Sequence, residues 1–165
     1  MDLELSRHIS RIALRVTKRD VASAFRVLKL HPAMALVMVT EFPASHVHLE
    51  NDVVCFYLAM PFGWNGAPAH FARFGGAITR AHSRCGLSRK CNTLMKHAYR
   101  SVLYVGDGIF VELDIAERMA GTNTCWEFLT RGVLGNSAIN LEKLDEEGTW
   151  ESKQILLGFT YHYEN

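Results

Sequence analysis

Hydrophobic and polar positions alternate from Ile12 to Asp20. Ile12, Leu14 and Val16 fall on one side, and Arg11, Ala13, Arg15 and Thr17 on the other. That alternation predicts a half-buried strand. Met34–Phe42 and Val53–Met60 are further β-rich runs. Pro43, Ala44 and Asp52 between them suit a hairpin with His46 and His48 near its tip. From Ala67 to about Arg80 the pattern predicts a helix, with Pro68 acceptable in its first turn. Gly75-Gly76 inside it costs about 2 kcal/mol against alanine, a penalty that close packing on a sheet would offset. A polar, basic segment then runs to about Tyr99. Apolar runs at Ser101–Val105 and Ile109–Leu113 flank Gly106-Asp107-Gly108. Gly and Asp tolerate the positive φ of a tight turn, so this reads as a hairpin with one carboxylate at its tip. Asp114, with Glu117 three residues on, predicts an N-cap for a helix to about Arg131. Strands are expected near Ala138–Glu142 and Gln154–Tyr163, joined by a Glu146-Glu147-Gly148 turn.

Without the Met34–Met60 hairpin the order is β-α-β-β-α-β. That order predicts an α+β fold of the ferredoxin-like split βαβ type, an antiparallel sheet with helices on one face. Its first and third strands lie side by side at the centre. Asp20 ends the first strand and Asp107 sits in the central hairpin, so residues 87 positions apart are expected to meet on the open face of the sheet.

The 165-residue length suits one domain with a real core. Net charge is only +1, so its distribution matters more than its sum. No acidic residue lies between Asp52 and Asp107, where Arg73, Arg80, Arg84, Arg89, Lys90, Lys96 and Arg100 fall. Glu142, Asp145, Glu146, Glu147, Glu151 and Glu164 follow later. A basic middle against an acidic end suggests one surface facing a polyanion, or a solvated basic helix and loop. The N-terminal residues carry no basic stretch followed by an apolar run, and no apolar stretch approaches membrane-spanning length. Four cysteines without a Cys-x-x-Cys pair suit a reduced, intracellular protein, cytoplasmic or nuclear, without a membrane partner.

Two carboxylates meeting at a sheet end repel unless a cation lies between them. Hard oxygen ligands suit Mg2+ or Mn2+, and two such ions can clamp the oxygens of a phosphoryl displacement. Three segments carry that chemistry further: Asp20 with Phe25, Pro61-Phe62-Gly63-Trp64-Asn65-Gly66-Ala67-Pro68-Ala69-His70-Phe71, and Tyr104-Val105-Gly106-Asp107. In this order and spacing the chain resembles the palm of a reverse transcriptase, an RNA-directed DNA polymerase, of retrotransposon type. Asn140-Leu141-Glu142-Lys143 resembles the family's later lysine segment, and Leu157-Gly158-Phe159 its primer-contacting hairpin. The resemblance covers residues 10 to 165. It implies that Asp20, the Val21 carbonyl and Asp107 hold Mg2+ or Mn2+. Phe25 would exclude a 2′-hydroxyl, while Phe62, Gly63 and Asn65 line the incoming base pair. Lys143 would protonate the departing pyrophosphate. Leu157 and Gly158 would contact the primer, and Arg84, Arg89 and Lys90 the backbone of an RNA or DNA template-primer.

The departures are equally specific. The family's hairpin has two adjacent aspartates, and Gly106 replaces the first. Losing one carboxylate from a two-metal site predicts a fall in rate of about a thousandfold or more. Residues 1–165 are expected to form one palm-like domain with partial fingers and neither thumb nor RNase H. Two readings stay open: an impaired polymerase palm, and a domesticated, non-catalytic module that binds protein or nucleic acid. Phe25 and Phe62 also suit core aromatics, and Lys143 an ordinary charged turn. Cys125, Trp126 and Phe128 suit core packing on their helix. His82, Cys85, Cys91 and His97 have the ligand types of a zinc site, but their spacing is wider than that of a finger.

Overall fold

The computed structural model describes residues 13–85, 100–115 and 117–162. Its centre is an antiparallel three-stranded sheet, ordered β1 (Leu14–Asp20), β5 (Asp107–Leu113), β4 (Arg100–Tyr104). Two smaller hairpins stand beside it: β2 (Val39–Phe42) with β3 (Val53–Phe56), and β6 (Lys153–Leu156) with β7 (Phe159–His162). The helices are α1 (Pro32–Ala35), α2 (Ala44–Val47), α3 (Ala67–Cys85), α4 (Arg118–Leu134) and α5 (Leu141–Glu147). A 3-10 turn covers Ala24–Val27. The fold is α+β, and no described helix is long and apolar enough to cross a membrane.

Alternation assigns the two sheet faces. Thr17 lies opposite Phe110 and Arg19 opposite Gly108, and all four are buried. Phe110 packs on His82 of α3 and Trp126 of α4, with ring centroids 5.0 and 5.7 Å apart. Both long helices therefore cover the same face. Phe71, Ile78, Phe110 and Trp126 form the middle of the core. On α3, Phe71, Gly75, Ile78 and His82 are the buried stripe, at the three- and four-residue steps of one helix face. Gly75 earns its place there: a Cβ would lie 3.1 Å from Leu103 of β4. On the other sheet face stand Lys18, Asp20, Asp107 and Ile109.

Several boundaries differ from the sequence expectation. Asp107 and Gly108 belong to β5, and the turn is Val105-Gly106. The Met34–Phe42 run begins as α1, because His31 caps it through Ala33 N and Pro32 opens it. The second run is strand only over Val53–Phe56. Asp114 is not the cap of α4. It pairs with Arg15 at 3.0 Å, and α4 starts after Glu117. Trp126 is buried as expected, but Phe128 is 76% exposed. The strand expected at Ala138–Glu142 reduces to one bridge, Val21 with Ile139, followed by α5. The expected Glu146-Glu147-Gly148 turn is the end of α5, and Gln154–Tyr163 is the β6–β7 hairpin, with Tyr163 outside the described residues. Ile12 and residues 86–99 of the basic segment, with Arg89, Lys90, Cys91 and His97, also lie outside them.

Candidate functional site

Strand pairing alone brings the two aspartates together. Asp20 closes β1, Asp107 opens β5, and they are Cα partners in the antiparallel ladder. Opposed side chains in such a ladder start about 4.5–5.5 Å apart at Cβ, and like charges there destabilise the pair. The surroundings answer that repulsion. Lys143 Nζ lies 3.2 Å from Asp20 Oδ1. Asn140 donates through Nδ2 to Asp20 Oδ2 at 2.8 Å.

Both partners come from the start of α5, which the backbone ties to the end of β1. Ala22 N donates to Ala138 O at 2.8 Å, and Asn140 N donates to Asp20 O at 3.1 Å. Asn140 is also the helix cap: its Oδ1 accepts from Lys143 N at 3.3 Å, the side-chain role that favours Asn before a first turn. One residue thus starts the helix and holds the carboxylate. Lys18, two residues before Asp20 and on the same face, reaches Glu147 at the far end of α5, at 2.5 Å.

Three carboxylates therefore face two ammonium groups. Burial pushes the Asp107 carboxyl above the ordinary carboxylate range, and the neighbouring Asp20 pushes it further. Lys143 and Lys18 act in the opposite direction. Lys143 is itself raised, first by its hydrogen bond to Asp20 and then by that group's charge.

The hairpin turn borders the pair. Val105 has φ 56° and Gly106 φ 149°, backbone that costs most residues energy and glycine little. Gly106 O accepts from Val21 N at 2.9 Å. A Cβ at Gly106 would lie 3.3 Å from Ala24 Cβ and 3.8 Å from the Val21 carbonyl oxygen. The position where the resemblance calls for a carboxylate is thus buried backbone packed against the Val21–Ala24 turn.

The aromatic residues gather next to that turn. Phe25, buried, sits 5.2 Å from the exposed Phe62 ring and 5.8 Å from Phe71. The Arg26 guanidinium lies 5.4 Å from the Phe62 centroid, a cation–π distance. Gly63 turns with φ 87°, and Asn65 is exposed before α3. Val21, Phe25 and Phe62 are thus linked to the carboxylate pair through the Val21–Ala24 turn. Leu157 and Gly158 instead form the β6–β7 turn. Arg84 is exposed near the end of α3.

These donors do not fit two divalent ions. Both Asp20 oxygens are engaged by nitrogen donors. The Val21 carbonyl accepts from Ala24 N at 3.2 Å, and Gly106 supplies no side-chain oxygen. Among the described residues no group of three His, Cys, Asp or Glu side chains converges. His82, which has the ligand type of a zinc site, sits inside the fold. It is buried, with its ring nitrogens 3.0 Å from Ser101 Oγ and 2.9 Å from Thr122 O.

The sequence reading missed Asn140 and Lys18 as members of the site. The signal for Asn140 was its cap-type side chain three residues before Lys143. For Lys18 it was the two-residue strand period that places it beside Asp20. The chain matches no family model and no curated protein.

Proposed function

We propose that this chain is a reverse-transcriptase-like palm whose nucleotidyl-transfer site is degenerate, leaving template-directed synthesis impaired or absent. The observation that carries the reading is the pairing of Asp20 with Asp107 across β1 and β5. Motif order required that meeting, and 87 positions of sequence separate the two. The Phe25–Phe62 contact next to the Val105-Gly106 turn adds a second point of agreement. Gly106 and the engaged oxygens of Asp20 argue against efficient phosphoryl transfer, whose transition state needs concentrated positive charge.

A non-catalytic binding module is the second reading, favoured by the Lys143–Asp20 ion pair at the heart of the site. Primer extension tests the degeneracy of the site. The purified chain, a primed RNA or DNA template, deoxynucleotides and Mg2+ or Mn2+ are expected to give little or no product. Robust extension lost in Asp20→Asn would reject the degenerate site and establish an active polymerase.

A further inference from the structure

We propose that the Lys143 ammonium is a built-in counter-cation of the Asp20–Asp107 pair, so that the site folds and stays assembled without a divalent ion and excludes Mn2+ and Mg2+. The inference deepens the degenerate-palm reading and rests on it for the meaning of the carboxylates, though not for their geometry.

Three observations converge. The ammonium already lies 3.2 Å from Asp20 Oδ1, where a bound cation would have to compete with it. Asp20 Oδ2 is taken by Asn140, and Asn140 is fixed in turn by capping the helix that carries Lys143. A metal entering here must break an ion pair and a charge-assisted hydrogen bond held by the same helix start. The oxygen that would compensate is missing, because position 106 is glycine packed on Ala24. Mg2+ surrenders its own waters reluctantly and needs near-octahedral oxygen ligands, so a half-occupied carboxylate pair beside an ammonium is a poor exchange.

The test is direct titration of the full chain with Mn2+, following the paramagnetic resonance of the free ion. Unmodified protein is expected to bind no Mn2+ stoichiometrically at millimolar metal. Lys143→Met should tighten Mn2+ binding by about tenfold or more, a modest free-energy change, and adding Asp20→Asn should abolish the gain. Lys143→Arg, which keeps the charge, should exclude metal like the parent. Circular dichroism of each variant verifies folding, and Lys143→Gln replaces Lys143→Met if the latter is unfolded. Stoichiometric Mn2+ binding by the unmodified chain, lost in Asp20→Asn, would overturn the proposal. So would a folded Lys143 variant that gains nothing.

Deoxynucleoside triphosphate titrations of Lys143→Met and of the unmodified chain keep the two readings apart. Metal gained without nucleotide binding supports the counter-cation and counts against the palm. Metal and nucleotide bound together by the unmodified chain does the reverse.

Discussion

At position 106 backbone conformation, more than chemistry, sets what the site can hold. Gly106 has φ 149°, its carbonyl is tied to Val21 N, and a Cβ would press on Ala24 at 3.3 Å. Installing the missing carboxylate is thus not a simple repair. An aspartate there meets strained backbone, a close methyl group and two further acidic side chains. Gly106→Asp is expected to lower stability by about 1–3 kcal/mol, the usual range for a non-glycine residue held in a sparse region. Urea denaturation of the two proteins measures it. Equal midpoints would show that the Val105-Gly106 turn re-forms at no cost and that a second aspartate fits beside Asp107.

The elements of the sheet were legible in the sequence wherever alternation was long. β1, β5 and the helix on Ala67 all followed from period, and with them the meeting of Asp20 and Asp107. Errors fell where one local signal competed with another. Gly106-Asp107-Gly108 reads as a turn, yet the chain turns one step earlier by placing the β-branched Val105 at φ 56°. No propensity argument anticipates that choice. Ile139 suggested a strand, but Asn140 capped a helix first. Asp114 had the right chemistry for a cap and was taken by Arg15 from β1, a partner 99 positions away. The His82 ring joins three of these elements, bridging α3 to β4 through Ser101 and to α4 through Thr122. Burial holds this imidazole below its ordinary value of 6.5, and the Thr122 carbonyl offsets only part of that. The unfolded chain therefore takes up the proton first as pH falls. Stability present above about pH 6.5 is lost as pH drops toward the lower folded value. Thermal melts are expected to show a fall in Tm through that window that is shallower in His82→Gln. An identical slope in both proteins would mean that other groups govern the acid response.

Across the whole molecule, charge is sorted more sharply than the net value of +1 implies. The buried stripe of α3 faces the sheet, and Arg73, Arg80 and Arg84 are exposed away from it. Their seven- and four-residue spacing aligns them on one helix face. Glu142, Asp145 and Glu146 are exposed on α5. A row of cations of this kind suits phosphate backbone better than bases, since it offers charge at regular spacing and no fixed pattern of acceptors. The expected outcome is weak binding to single-stranded and duplex RNA or DNA without sequence preference. Fluorescence anisotropy at several salt concentrations measures it. If each arginine meets one phosphate, changing all three to alanine should lower the magnitude of the log Kd against log salt slope by about two to three. Changing Arg84, Arg89 and Lys90 instead tests whether the basic segment that follows contributes. A slope unchanged by both triple variants would remove nucleic acid from this face. No binding at low salt by the parent chain would leave the protein-binding reading as the stronger of the two.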